Sequence, residues 1–282
     1  MSTHFRTFIP KFALGIALVL PGSLALAQAP PPQAAAPDPR EQADVDKALA
    51  TKRLANVHGA ISGDTVTLTG TVPLYSDKLD AANRIKRKAG FRLIQNQITV
   101  DGPAAEDSTI RNKLAEKLTY DRVGYGTTTF NAMTIAVQNG VVTLGGVAYG
   151  PIDKDSALGL VANYPGVKDI VDNIQVAPTS QMDDRIRLAE ARAIYGAQQL
   201  NRYALDPAKP IRITVINGNV TLSGVVDSQN DKDVANIRAN AVPGVFKVVN
   251  NLEVSSGSPK ESPTTGPASG KDSLSGKHPA QP

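Results

Sequence analysis

Val142-Thr143-Leu144-Gly145-Gly146, followed twenty residues later by Gly166, is the stretch that decides the fold. The same words stand at Val66-Thr67-Leu68-Thr69-Gly70 with Gly90, and at Val220-Thr221-Leu222-Ser223-Gly224 with Gly244. Eight residues beyond each second glycine comes a branched apolar residue: Ile98, Ile174 and Leu252. Equal spacing in three places means one folded unit copied three times, and a repeat must be recognised before any element is assigned. The copies recur after 76 and 78 residues. Units of roughly 60–75 residues bury a modest share of their surface and are marginal alone, so neighbouring copies are expected to touch.

The third copy shows the order of elements. Ile186, Ala189, Ala193, Ala197 and Leu200 recur at steps of three and four within 182–200, the period of a helix. Ile211, Ile213 and Val215 alternate as a strand, and Asn217-Gly218 is a hairpin signal because both central residues of a type I′ turn need positive φ. Val220, Leu222 and Gly224 continue as the second strand. Asn230-Asp231-Lys232 opens a second helix with Asn230 as the expected N-cap. Pro243-Gly244 closes it, with the glycine expected at the left-handed C′ position, and residues 245–254 form a third strand. The second copy repeats this from Ile110, Leu114 and Leu118 through Asn139-Gly140, Asp153-Lys154 and Pro165-Gly166. The first copy reads as degraded at its front, with a short helix (Val45, Ala48, Leu49), a weak strand (Val57, Gly59, Ile61) and Gly63-Asp64 at the turn; Ser76 is its expected second-helix N-cap. The fold class is therefore α+β: three tandem αββαβ units, each a three-stranded mixed sheet covered on one face by two helices.

Outside the repeats, residues 1–27 read as a secretory signal peptide. Arg6 and Lys11 precede an apolar run too short to span a bilayer, and Ala25-Leu26-Ala27 is a small-x-small cleavage signal, so cleavage is expected after Ala27. Residues 28–40 are an Ala/Pro-rich spacer, and 257–282 have the Ser, Gly, Pro and Lys composition of a disordered tail. The units are placed at 41–103, 107–178 and 182–256. The chain has no cysteine, which removes disulfides and thiolate sites. Without Arg6 and Lys11 the remainder carries 28 basic against 26 acidic residues, and near-neutrality with export argues against nucleic acid.

Gly140-Val141-Val142-Thr143-Leu144-Gly145-Gly146 with Pro165-Gly166-Val167, and Gly218-Asn219-Val220-Thr221-Leu222-Ser223-Gly224 with Pro243-Gly244-Val245, resemble the BON domain family. The first copy departs from the pattern at Asp64 and at Ala89-Gly90-Phe91. The resemblance implies likeness to tandem-domain, osmotically induced periplasmic proteins of Gram-negative bacteria. These are tied to the cell envelope; some family members bind anionic phospholipid, and the family is not known for catalysis.

Two readings attach to each set of shared or clustered residues. The strand glycines Gly70, Gly146 and Gly224 mark a bulge or close approach by another backbone, read either as a helix packed tightly over the strand or as a ligand contact. Asp77, Asp153 and Asp231, in the first turn of each second helix, suit the helix dipole. Arg84, Lys86, Arg87, Lys88 and Arg92 form the densest basic run; it either answers the dipole at a helix end or offers a patch to anionic lipid headgroups or envelope polymers. Tyr120, Tyr125, Phe130, Tyr195 and Tyr203 either cap the small cores or serve interfaces. Of three histidines only His58 lies in a folded unit, with no companion at catalytic spacing, and no metal cluster or phosphate loop stands out. The sequence thus points to a non-enzymatic envelope protein without cofactor, whose partners are anionic phospholipid or envelope proteins. The alternative is an assembly module that oligomerises through its α/β units.

Overall fold

The computed structural model describes residues 38–87, 93–207 and 209–255. The expected signal peptide, most of the expected spacer, the expected tail and the pair Lys88 and Arg92 with Gly90 fall outside the described residues. The first unit comprises α1 (Pro39–Leu49), β1 (Val57–Ser62), β2 (Thr65–Val72), α2 (Tyr75–Lys86), β3 (Leu93–Asn96) and β4 (Thr99–Val100). The second comprises α3 (Asp107–Tyr120), β5 (Ala132–Gln138), β6 (Val141–Ala148), α4 (Pro151–Ala162), β7 (Asp169–Asp172) and β8 (Gln175–Val176). The third comprises α5 (Gln181–Tyr195), a single turn α6 (Arg202–Leu205), β9 (Arg212–Ile216), β10 (Asn219–Val226), α7 (Gln229–Asn240) and β11 (Lys247–Val254).

The Val-Thr-Leu strand is the middle of every sheet. Val220 pairs antiparallel with Val215 on one side and parallel with Val248 on the other. β2 and β6 are flanked in the same way, with the last strand split in two. Alternation sends Val142 and Leu144, or Val220 and Leu222, towards the helices. There they meet Ile110, Leu114, Ala157 and Val161 in the second unit, and Ile186, Ile194, Ala235 and Ala239 in the third. Alanine at Ala81, Ala157 and Ala235 keeps each second helix close to its sheet.

Both Asn-Gly hairpins take positive φ at both central residues, as a type I′ turn requires: 54° and 78° at Asn139-Gly140, 51° and 74° at Asn217-Gly218. In the first unit only Gly63 is positive, at 56°, the type II′ arrangement, so Asp64 does not cost the chain its hairpin. The front of that unit is regular rather than degraded. α1 runs for eleven residues, and Gly59 is small because the Val45 and Leu49 side chains of α1 fill the place where its Cβ would be.

The strand glycines have a different cause from close helix packing. Gly70, Gly146 and Gly224 take φ of 118°, 84° and 124°. A Cβ there would strike backbone at the start of the neighbouring strand: the carbonyl of Asn56, Ala132 or Pro210. Gly146→Ala combines a left-handed backbone with that collision. It is expected to destabilise the second unit by about 2–4 kcal/mol, read as a lowered urea midpoint at unchanged slope.

The glycine after each proline likewise acts beyond the helix. α4 ends at Ala162 and α7 at Asn240, and Gly166 and Gly244 lie past the caps with φ of 91° and 88°. Val167 N donates to Tyr164 O (3.3 Å) and Val245 N to Val242 O (3.4 Å). Proline followed by a positive-φ glycine inside such a bond is a type II turn. At the other end of α7 the cap is Ser228, whose hydroxyl accepts from Asp231 N, rather than Asn230. The N-cap of α2 is Leu74 rather than Ser76.

Candidate functional site

The shared aspartates of the second helices are buried charges, not merely dipole partners: Asp77, Asp153 and Asp231 are 1, 3 and 3 % exposed. Each faces an arginine from the connection between first helix and first strand. Asp153 accepts from Arg122 Nε (2.9 Å), Thr127 Oγ1 (2.6 Å) and Asn131 Nδ2 (3.1 Å). Asp231 accepts from Arg202 Nη2 (2.6 Å), the Tyr203 hydroxyl (3.0 Å) and Ser228 Oγ (2.8 Å). Asp77 has only Arg53 Nη1 at 3.3 Å, and its two oxygens accept no hydrogen bond among the described residues. The pairs at Asp153 and Asp231 lock the connection onto the second helix, a structural role carried by charge.

A second pair of aspartates ties the first helix to the hairpin. Asp107 accepts from the backbone of Asn139 (2.6 Å) and Gly140 (2.8 Å), and Asp183 from that of Asn217 (2.9 Å) and Gly218 (2.8 Å). Two successive amides pointing the same way form a small anion-binding concavity, which each carboxylate fills. Counting from these aspartates, Leu114 and Glu190 occupy the same place. Leu114 packs in the second core; Glu190 is fully buried in the third unit with neither oxygen hydrogen-bonded among the described residues. Burial pushes its carboxyl up to about 8.

Neighbouring units touch through aromatic residues. Tyr75 packs against the cores of both the first and second units. Its phenol is pushed up to about 12, by burial first and then by Asp169. Between the second and third units, Phe130 packs on the third core and lies 5.7 Å from the Tyr149 ring. The Tyr149 hydroxyl donates to Asp184 (3.3 Å), and the Arg187 guanidinium sits 5.2 Å from the Tyr149 centroid. Arg212 Nη1 crosses from β9 to the carbonyls of Thr128 (2.9 Å) and Asn131 (2.8 Å). Of the aromatic residues singled out in the sequence, Phe130 therefore serves an interface. Tyr195 and Tyr203 belong to the third core, while Tyr120 and Tyr125 are exposed, Tyr125 beneath the Arg122 guanidinium at 4.2 Å.

The described part of the basic run lies at the end of α2. Arg84 is turned to Asp80 (2.8 Å), whereas Lys86 and Arg87 are exposed, Arg87 Nε donating to Asn83 O at 3.2 Å. Leu93, 53 % exposed, begins the strand that follows. His58 is exposed on β1, and among the described residues no group of three or more His, Asp or Glu is placed to hold a metal. No described helix is long and apolar enough to cross a membrane.

The paired αββαβ architecture and its glycine turns agree with a comparison of families. The model of the BON domain matches residues 106–178 and 197–256, which cover the second unit and most of the third, so these two segments are BON domains. It is similar to osmotically-inducible protein Y of Escherichia coli (strain K12), 24 % identical over 194 residues that span 67 % of this chain and 92 % of that one. Two solved structures of CdsD, a structural protein of the Type III secretion system of Chlamydia trachomatis, are similar at 12 % identity and a TM-score of 0.21. Each covers 75 % of this chain, and 96 % and 90 % respectively of its own.

Proposed function

We propose that this is an exported envelope protein that serves the cell under osmotic stress by binding, without catalysing a reaction, at anionic phospholipid surfaces or at envelope partners. The observation that carries the reading is the similarity to osmotically-inducible protein Y along 92 % of that protein. The small-x-small cleavage pattern ending at Ala27 supports export to the periplasm. The contact surface proposed is the end of α2, where Lys86 and Arg87 are exposed, continued in sequence by Lys88 and Arg92 to the exposed Leu93. Arg84 contributes less, because its guanidinium is taken by Asp80. A few clustered cations near an anionic surface contribute about 1 kcal/mol each and are screened by salt.

Co-sedimentation of the mature chain with vesicles containing phosphatidylglycerol tests the reading. Binding is expected at low salt, with loss as ionic strength rises. The double variant Lys86→Glu, Arg87→Glu is expected to bind at least about tenfold more weakly. Absence of binding to anionic vesicles at low salt would remove the lipid reading.

A further inference from the structure

We propose that the cavity at the joint of the second and third units is a binding site for a small anion with a short apolar tail, a carboxylate the size of butyrate, held by Arg212. The cavity measures about 130 Å³; Ala115 and Leu118 of α3 and Met133 and Ile135 of β5 make its apolar side, Thr119, Asn131 and Thr134 its polar side, and Arg212 of β9 reaches in from the third unit. A cavity near this size accepts a ligand of about six heavy atoms.

The guanidinium gives the cavity its sign. Arg122, Arg187 and Arg202 each meet a carboxylate, namely Asp153, Asp184 and Asp231. Arg212 meets none among the described residues. Nη1 is spent on two backbone carbonyls, and its other nitrogens make no hydrogen bond to a described residue. Burial pushes its pKa down, the mark of a cation removed from water without a full counter-charge. A guanidinium presents a planar fork that suits a carboxylate, and Ala115, Leu118, Met133 and Ile135 suit an alkyl tail. The corresponding first-strand position of the second unit is Thr134, so this charge belongs to the joint and not to the repeat.

The test is a methyl NMR titration of the mature chain, following Met133 and Ile135, with sodium butyrate at constant ionic strength. Butyrate is expected to give saturable shifts with a midpoint in roughly the millimolar range, as befits so few atoms. n-Butylammonium is expected to give none. Ala115→Leu, which fills the cavity and leaves Arg212 in place, should abolish the saturable shift while resonances of the first unit stay unchanged. Arg212→Gln should weaken binding at least tenfold; if this variant loosens the joint, the Ala115→Leu result decides. Equal saturation by n-butanol, a butyrate shift that survives Ala115→Leu, or no saturable response to butyrate would each overturn the proposal. The vesicle assay does not touch this cavity, so the two readings fail independently.

Discussion

Replacing Glu190 by Leu is expected to stabilise the third unit by about 2–4 kcal/mol at pH 7. The second unit shows what the place accepts: Leu114, at the same distance from the clasping aspartate, is fully buried in the core. Glu190 is equally buried and leaves both oxygens without a hydrogen-bond partner among the described residues. Burial holds its folded-state carboxyl near 8 against an ordinary value of 4.5. Between those values the fold keeps a proton that the unfolded chain has released. Stability therefore falls as pH rises through this window and levels off above it, by an amount on the order of 4 kcal/mol. The variant lacks this pH dependence. Urea unfolding of both proteins at pH 5 and pH 8.5 checks the sign: the advantage of Glu190→Leu must be larger at pH 8.5. An equal advantage at both would show that the carboxyl is not held neutral.

Asp153→Ala is expected to cost about 3–5 kcal/mol, because it strands a largely buried arginine, a hydroxyl and an amide that converge on one oxygen. The same change at Asp77 should cost no more than about 1 kcal/mol. Arg53 is 64 % exposed and stands at 3.3 Å, so water already screens that pair, and no hydrogen bond is lost among the described residues. The contrast separates a buried ion pair from a helix-dipole contribution, which would be similar in every copy. Thermal unfolding of the two single variants reads it directly. Comparable losses at Asp77 and Asp153 would contradict the assignment.

The architecture was legible because its signals are local. Equal spacing of Val-Thr-Leu-x-Gly counted the units, and Asn139-Gly140 and Asn217-Gly218 placed the hairpins where positive φ is needed. What the glycines touch was not legible. Gly146 reports that a side chain is excluded, but not that a neighbouring strand's carbonyl, instead of a helix, excludes it. The ion pairs were hidden for another reason. Arg53, Arg122 and Arg202 precede their aspartates by 24, 31 and 29 residues, in connections of unequal length, so no fixed interval reveals them. Glu190 could have been found by aligning the copies on Asp107 and Asp183, which sets it opposite Leu114. Arg212 could not, since its meaning depends on how two units meet.

What the three units share is scaffold: a middle strand, its glycine kink and a buried aspartate, to which the second and third units add a type II turn. Binding is proposed for what they do not share, and the described part of the proposed surface is the end of α2. An amide NMR titration of the mature chain with anionic lipid micelles tests this most directly. The account predicts salt-sensitive shifts centred on Lys86 and Arg87, with the hairpins at Asn139-Gly140 and Asn217-Gly218 unmoved. Shifts centred on the second or third unit, or no shifts at low salt, would contradict it.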